Sequence, residues 1–503
     1  VGDGWVEKHV LVGNALVDMY GKCGAVTKAN EVFNKLGMKD TVSWNAILAG
    51  YAQIGDGQKA LESFRQMQCE GFSSDTITCV CILKACGSNI DLDEKALEIH
   101  AGIVGGRLEE NMLVNNVLID TYAKHGAFDK AKYIFDKLSV HDVVTWNALI
   151  SGYVQYGHHE EALGCFELMQ CKGTPAPDVV TYICVLKSCS SLRACHKGQE
   201  IHADISKEQS IEKDLFVGNA LMDMYFKCGL IMKAQEVFDQ IIVRDVVTWN
   251  VLISGYAQLG YNEEAMSFFE VMKQRRDVSP NEVTYVCVLK ACSNLGDAEK
   301  GQEIHGLMIR EGWMAKDSQI GNVLVDMYAR CGALRKAQEV FNELLVKTIV
   351  TWNFLIGGYA QLGDDKMVFT SFNKMIEGDI NPDQVTFLSL LTTCIHSGQL
   401  ELGIDCFIIM YSIYGIIPTI EHVICMIDLY GRAGHFEKVV SVIIEMPFLA
   451  NLALWQIVLG ACQKWGNSKL GKMAFEFAVE LDERDVASYI LMSNIYAIDI
   501  HVT

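Results

Sequence analysis

Apolar residues along this chain recur at intervals of three and four positions. Two examples are Ala29, Val32 and Phe33, and Ala234, Val237 and Phe238. This spacing places the apolar side chains on one face of an α-helix. A glycine also follows a tyrosine at an interval of four, as in Tyr20 and Gly24, Tyr51 and Gly55, Tyr225 and Gly229, and Tyr359 and Gly363. Because a glycine suits a helix C-terminus, the pattern predicts antiparallel pairs of amphipathic helices.

The helical pattern itself repeats along the chain. Four tryptophans follow Ser or Thr and precede Asn, and they lie 102, 103 and 103 residues apart: Trp44, Trp146, Trp249 and Trp352. Each block contains three related repeats of about 34 residues, the third with Leu-Lys-Ala-Cys in place of the Tyr and Gly element, as at 83–86 and 289–292. One helix pair buries little apolar surface, so neighbours must stack. We predict an all-α fold, a right-handed superhelical solenoid of helix-turn-helix repeats whose first helices line a concave face.

Composition fits such an array. The chain has 503 residues, of which 50% are hydrophobic and 21% charged, and this length exceeds what one core usually supports. The net charge of −20 is opposite in sign to the usual footprint of a nucleic-acid-binding protein, although net charge does not fix the charge of one groove. The longest apolar stretch, at 406–418, is too short to cross a bilayer, which predicts a soluble protein without a membrane partner.

The candidate metal ligands do not form a metal site. Cysteines recur in phase with the repeat, which indicates small packing residues in a reducing compartment: Cys81, Cys184 and Cys287, then Cys86, Cys189 and Cys292, then Cys23, Cys228 and Cys331. His158, His159 and Glu160 supply the His-x-Glu string of a zinc deaminase, but no Cys-x-x-Cys follows, and an exposed loop is predicted there. The in-phase His100, His202 and His305 are predicted to be structural. We predict no enzyme activity, metal or cofactor.

Two polar positions recur with the first helices. An asparagine is present in eight repeats, at Asn14, Asn45, Asn116, Asn147, Asn219, Asn250, Asn322 and Asn353. The residue that closes each of these repeats is Asp40, Asp75, Asp142, Asp178, Asp245, Asn281, Thr348 or Asp383. Both residue types favour helix N-termini, so capping is one interpretation. Recognition of a nucleotide base is the other, since a side-chain amide offers a donor and an acceptor that match a pyrimidine edge.

The phrases at 217–225 and 247–256 resemble the pentatricopeptide repeat family, in its plant class of alternating P, L and S repeats. The resemblance covers about residues 10–497. It implies a short N-terminal stub at 1–9, about thirteen repeats at 10–451 and a truncated extension segment of the kind found in RNA-editing factors at 452–503. In that family the fifth and last residues of a repeat select one RNA base. The second residue sandwiches the base, which here implies Val42, Val144, Val247 and Val350.

The resemblance also implies a target. Pairs of Asn with Asp favour uracil, Asn250 with Asn281 accepts cytosine or uracil, and Asn322 with Thr348 departs from the pattern. The L repeats have apolar fifth residues, Val80, Ile183, Val286 and Leu388, which are expected to space and not to select. With the family's polarity the target is 5′-UU-x-UU-x-UY-x-YU, where x is unselected and Y is a pyrimidine.

The expected function is therefore sequence-selective binding of single-stranded, pyrimidine-rich RNA, for organellar RNA processing or C-to-U editing with a separate deaminase acting in trans. Family members act in mitochondria or plastids. The chain begins at Val1, so a targeting segment is expected to be missing. Two alternatives are a scaffold for protein interactions, which the acidic charge would suit, and a truncated copy without function.

Overall fold

The computed structural model describes residues 9–87, 111–173, 175–275, 277–313, 318–445 and 451–502. Every regular element in these ranges is a helix. The chain forms two compact units, Val1–Gly255 and Tyr256–Thr503. Within each unit, helices that follow one another in sequence pack side by side, and first helices of consecutive repeats are in contact.

The first unit consists of paired helices joined by short turns. They are α1 (Val10–Lys22), α2 (Val26–Asn34), α3 (Thr41–Ile54), α4 (Gly57–Cys69), α5 (Thr76–Gly87), α6 (Met112–Lys124), α7 (Phe128–Lys137), α8 (Val143–Gln155), α9 (His159–Lys172), α10 (Val179–Leu192), α11 (Cys195–Ile205), α12 (Gln209–Glu212), α13 (Leu215–Lys227), α14 (Ile231–Gln240) and most of α15 (Val246–Gln258).

The second unit continues the same alternation. Its helices are α16 (Asn262–Gln274), α17 (Glu282–Leu295), α18 (Ala298–Arg310), α19 (Ser318–Arg330), α20 (Leu334–Glu343), α21 (Ile349–Gln361), α22 (Asp365–Glu377), α23 (Gln384–Ser397), α24 (Leu400–Ser412), α25 (Ile420–Ala433), α26 (Phe436–Glu445), α27 (Leu452–Trp465), α28 (Ser468–Leu481) and α29 (Val486–Val502).

Most first helices begin with the same polar cap. Asp142 precedes α8, and its Oδ1 accepts the backbone N–H of Thr145 at 2.7 Å, while the Asp142 N–H donates to Thr145 Oγ1. Such a cap satisfies two helix-end donors and stabilises a helix by about 1 kcal/mol. The same box begins the helices that follow Asp40, Asp178, Asn281, Thr348 and Asp383. The closing residue of each of these repeats is thus the N-cap of the next first helix.

The predicted helix ends are confirmed, and the recurring tryptophans lie in the core. Gly24, Gly55, Gly229 and Gly363 follow the ends of first helices, all with φ between 70° and 74°. Trp146 is 1% exposed, and its ring lies 4.7 Å from that of Phe135 in an edge-on contact. The same contact recurs between Trp44 and Phe33, Trp249 and Phe238, and Trp352 and Phe341.

A small residue lets consecutive first helices approach closely. A Cβ built on Gly152 of α8 would lie 2.3 Å from the Cβ of Ala123 of α6, nearer than real Cβ contacts. The equivalent Gly358 of α21 meets Ala329 of α19, where the distance would be 2.6 Å. The stacking of repeats therefore depends on the missing side chain at this helix position.

The expectations for cysteine and histidine are confirmed in part. All eighteen cysteines are free, and Cys86, Cys189 and Cys292 are buried as expected. Cys23 is exposed, so its predicted packing role is wrong, because it follows the last turn of α1. The predicted loop at His158 is also wrong beyond that residue, because α9 begins at His159 and places Glu160 in its first turn, where acidic groups favour the helix dipole.

The described in-phase histidines are structural. The Nδ1 atoms of His202 and His305 lie 2.6 Å and 3.0 Å from the hydroxyls of Tyr225 and Tyr328. His100 lies outside the described residues. No described helix is long and apolar enough to cross a membrane, and no three His, Cys, Asp or Glu side chains of the described ranges gather to hold a metal ion.

Candidate functional site

A hydrogen-bonded group of three side chains joins consecutive first helices. Asn116 is the fifth residue of α6, and its Nδ2 donates to Oδ1 and Oδ2 of Asp142 at 3.1 and 3.3 Å. The hydroxyl of Thr145, in the first turn of α8, donates to Asn116 Oδ1 at 2.7 Å. These contacts fix which end of the amide faces the carboxylate. We call this arrangement of amide, capping carboxylate and hydroxyl the amide–carboxylate site.

The same site occurs at four other predicted pairs. The amide nitrogen lies 2.9 to 3.1 Å from the carboxylate in Asn14 and Asp40, Asn45 and Asp75, Asn147 and Asp178, and Asn353 and Asp383. A hydroxyl donates to the amide oxygen at 2.6 or 2.7 Å from Ser43, Thr78, Thr181 and Thr386, respectively. The paired residues, which lie 26 to 31 positions apart in the sequence, are thus in direct contact in the structure.

The three other predicted pairs differ. Thr351 Oγ1 donates to Asn322 Oδ1 at 2.5 Å, but the capping residue Thr348 offers no carboxylate. Asn219 is buried without a hydrogen-bond partner at its Oδ1 among the described residues, while Asp245 caps α15 through the Thr248 N–H. Asn250 lies in the first unit and is buried. Its predicted partner Asn281 lies in the second unit, where it caps α17.

Hydrogen bonds favour the ionised form of four of these carboxylates. Burial raises the pKa of Asp142, but hydrogen bonds from Thr145 and Asn116 outweigh it and lower the pKa below its ordinary value. The pKa values of Asp40, Asp75 and Asp178 are lowered by the same balance. Each of these four sites therefore holds a negative acceptor beside an amide nitrogen, which carries two hydrogens.

Exposed apolar side chains flank these sites. The predicted sandwich residues Val42, Val144, Val247 and Val350 are the second residues of α3, α8, α15 and α21, and they are 46% to 58% exposed. The sequence prediction missed that the second residue of seven further first helices is also a large exposed apolar residue: Leu11, Ile77, Leu113, Val180, Phe216, Val283 and Val385. We call all eleven the wall residues. Their signal is an apolar residue two positions after each capping position.

One cavity of the second unit is lined by both an amide–carboxylate site and wall residues. Its volume is about 350 Å³, and its lining includes Asn353 and Asp383 together with the wall residues Val350 and Val385. The asparagines are largely covered, since six of the eight are only 5% to 9% exposed. The polar pair thus forms the floor of a slot between two apolar side chains, and such a slot suits a flat group with a polar edge.

A cation recurs on the same helices. The thirteenth residue of α1, α6, α13, α19 and α25 is basic, and we call these residues the basic column: Lys22, Lys124, Lys227, Arg330 and Arg432. Each contacts an aspartate four residues earlier at 2.7 to 3.0 Å. Positions two and thirteen differ by eleven residues, about 20° around a helix, so the cations share a face with the walls. Arg330 also lines the cavity beside Val350.

The basic column was missed by the sequence prediction, although its members recur every 102 or 103 residues. Exposed ion pairs between neighbours on a helix contribute little, about 0 to 1 kcal/mol, so these cations can exchange partners. The net charge of −20 therefore does not describe this face.

Comparison with known proteins places these features in context. The PPR repeat family model matches residues 39–88, 141–191, 244–294 and 347–396, and a PPR repeat model matches 14–40, 116–143, 219–246, 283–313, 322–349 and 424–448. The Arabidopsis thaliana pentatricopeptide repeat-containing protein At4g19191, mitochondrial, is 34% identical over 493 residues, which cover 97% of this chain and 74% of that protein. DOT4, chloroplastic, from the same plant is 37% identical over 486 residues, covering 97% and 55%.

The match to At4g33990 of Arabidopsis thaliana, 34% identical over 491 residues, covers 97% of this chain and 58% of that protein. The chain thus spans about three fifths of the length of several curated relatives. Maize PPR10 aligns with a TM-score of 0.59 at 18% identity over 97% of this chain and 84% of that one, which confirms the predicted solenoid fold. PPR10 in complex with an 18-nt psaJ RNA element aligns with a TM-score of 0.54 at 17% identity, covering 97% and 82%. The chain belongs to the pentatricopeptide repeat family.

Proposed function

We propose that this protein binds single-stranded RNA and selects pyrimidines with its amide–carboxylate sites. The observation that carries the proposal is the recurrence of one polar floor between two apolar walls, at the spacing of the repeat. PPR10, whose fold this chain shares, has been crystallised in complex with an RNA element, which supports the same class of ligand here.

The chemistry of the floor favours uracil. Uracil presents a carbonyl oxygen beside an N–H, so the amide can donate to the oxygen and the carboxylate can accept from the N–H. Guanine offers a similar pair of groups on a larger ring system, and we expect the covered floor to reject it on size. The wall residues would stack on the faces of the base, an interaction that contributes about 1 to 3 kcal/mol per base with aromatic side chains.

The basic column would contact phosphates between bases. Single-stranded binding by such contacts weakens with salt, whereas base selection does not depend on counterion release. Sites with Asn and Asp select uracil in this proposal, Asn250 with Asn281 selects either pyrimidine, and Asn322 with Thr348 selects more weakly because it has no carboxylate. The proposed target remains 5′-UU-x-UU-x-UY-x-YU.

The biological role follows from the resemblance. We infer a plant protein of the class with P, L and S repeats and an extension segment, acting in a mitochondrion or plastid on RNA processing or C-to-U editing. The protein would recognise the site, and a separate deaminase would supply the catalysis. Disruption of the gene should abolish editing at one or a few organellar cytidines. Unchanged editing at all sites would remove this part of the proposal and leave RNA binding intact.

The direct test is binding of the purified chain to a labelled U-rich RNA of about 14 nucleotides and to its purine-substituted counterpart, over a salt series. We expect tighter binding to the U-rich strand at moderate salt, and a smaller preference in Asn45→Ala and Asp75→Ala. The exposed Asn342, which lies on a second helix, provides the control Asn342→Ala. No binding, or equal binding that salt abolishes, would favour the protein-interaction scaffold, for which a net charge of −20 suits a basic partner.

A further inference from the structure

Another amide–carboxylate site lies beyond the residues matched by the family models, which end at 448. Gln456 is the fifth residue of α27, and its Nε2 donates to Asp485 Oδ2 at 2.9 Å. Asp485 directly precedes α29, and the same Oδ2 accepts the N–H and the hydroxyl of Ser488 at 3.0 and 2.5 Å. The segment thus brings together the same three kinds of side chain as a repeat, with glutamine in place of asparagine. It differs in that the Ser488 hydroxyl donates to Asp485 and not to the amide oxygen.

The positions agree with those of the repeats. Asp485 and Ser488 are three residues apart, as are Asp142 and Thr145, and Ser488 is fully buried like the hydroxyl residues of the repeats. The two repeats between the last Asn site and this one have Leu388 of α23 and Ile424 of α25 as fifth residues, which provide no amide. The amide therefore returns at Gln456 after an interruption.

The site retains an unused polar atom. Among contacts of the described residues, Gln456 Oε1 has no hydrogen-bond partner, and the side chains of Gln456 and Asp485 are half-buried. Capping of α29 uses the carboxylate of Asp485, so the amide oxygen of Gln456 has no role in the fold that we can identify. The second residues of α27 and α29 are the exposed Ala453 and Ala487, which makes the flanking walls small.

A cation is also present at the thirteenth position of α27. Lys464 donates to the carbonyl oxygen of Arg432 at 3.0 Å. The ninth position, which is aspartate on helices of the basic column, is Gly460 here, and Lys464 has no acidic partner within the described residues. This cation is available to an anionic group without first leaving an ion pair.

We propose that Gln456 and Asp485 form a further base-selecting position that takes a pyrimidine. This inference rests on the proposed RNA binding. Two repeats without an amide, with Leu388 and Ile424 at the fifth position, separate it from Asn353. The base it selects is therefore the third nucleotide after the uracil assigned to Asn353 and extends the target to 5′-UU-x-UU-x-UY-x-YU-x-x-Y. Because Ala453 and Ala487 offer little surface for stacking, base selection at this position depends on hydrogen bonds more than on stacking.

The test uses the full chain and RNAs of about 14 nucleotides that differ only in the last base, U, C or G, together with one RNA in which the second uracil is replaced by G. Gln456→Met keeps the length of the side chain and removes its hydrogen bonds. Gln58→Met is the matched control, because Gln58 is exposed on α4 and contacts Glu62. We expect the unmodified chain and the control to prefer a final U or C over G by about fivefold or more, and Gln456→Met to bind all three equally.

The outcomes separate the two proposals. Retained preference at the second uracil shows that Gln456→Met is folded and binds RNA. If the unmodified chain distinguishes bases at the second uracil but not at the last nucleotide, the further inference is wrong and the proposed function stands. If it distinguishes neither, the proposed function itself is wrong. A Gln456→Met variant that still prefers a final pyrimidine would overturn the role of Gln456.

Discussion

Replacement of Asn353 by leucine removes one amide and keeps the number and branching of the side-chain heavy atoms. In the native protein Asn353 Nδ2 donates to both oxygens of Asp383 at 2.9 and 3.1 Å, and Thr386 donates to Asn353 Oδ1 at 2.6 Å. The residue lies in the slot between Val350 and Val385. If the slot accepts a uracil, the substitution removes the donor to its carbonyl oxygen and leaves the walls unchanged.

The structure limits the effect on stability. Thr386 Oγ1 keeps a second acceptor, Asp383 Oδ1 at 3.0 Å, and Asp383 still caps α23 through the Thr386 N–H at 2.9 Å. Asp383 Oδ2 loses its donor, but this side chain is only half-buried and water can replace the donor. The lost hydrogen bonds should therefore lower the free energy of unfolding by about 1 to 2 kcal/mol. A good base contact contributes about 1 to 3 kcal/mol of discrimination, so preference at the aligned base should fall about 5- to 150-fold.

Competition binding measures the effect, with RNAs that carry U or G only at the nucleotide aligned with Asn353. We expect Asn353→Leu to lose the preference there and to keep it at the nucleotide aligned with Asn45. Asn342→Leu, an exposed change on α20, should alter neither. An equal loss at both nucleotides would indicate general damage to the solenoid, and an unchanged preference would refute base selection by this amide.

Three further changes test the packing, the titration and the charge of the molecule. Gly152→Val should lower the free energy of unfolding in chemical denaturation by about 1 to 3 kcal/mol, because its side chain meets Ala123, and Ala123→Gly should restore part of the loss. Burial lowers the pKa values of His202 and His305 below 6.5, so the melting temperature should fall as pH decreases below 6.5 and the unfolded state takes up protons. Substitution of both by glutamine should flatten this dependence, and an equally steep profile would contradict the assignment. Replacement of the basic column by glutamine should reduce the slope of log affinity against log salt by about 0.7 per cation without changing base preference, and an unchanged slope would exclude phosphate contacts.

Periodicity made the fold predictable. Apolar residues at helical spacing and a glycine after many first helices predict the order of the helices. Each helix packs against near neighbours in sequence, so no distant contact changes this order. The contact between Asn116 and Asp142 could also be anticipated, since two positions that recur together at the repeat length must lie at equivalent places in consecutive repeats. The boundaries at residues 9 and 451 stay predictions.

The surface around the site was harder to predict. An apolar residue such as Phe216 is expected in the core from its type, and only the helix start at Leu215 shows that the second residue points to solvent. Lys124 was overlooked because the recurrence of a basic residue does not show which face it occupies without the helix register that aligns it with Leu113. For both Phe216 and Lys124, the exposed face becomes evident only from the position of the residue within its helix, which depends on the capping residue.

Capping and base selection were opposed interpretations of the closing aspartates, and the structure makes them compatible. In Asp142 the cap uses Oδ1, and the amide of Asn116 also donates to Oδ2, so one carboxylate can cap the start of a helix and face a ligand. The closing residue of a repeat must therefore come from the set that caps helices, and Asn281 and Thr348 obey this rule where aspartate is absent.

It follows that Asp142→Asn should keep the cap and change only the charge of the floor. Asp142→Ala should also weaken the start of α8 by about 1 kcal/mol. A comparison of these two variants, by unfolding and by base preference, separates the role in the fold from the role in recognition within a single residue.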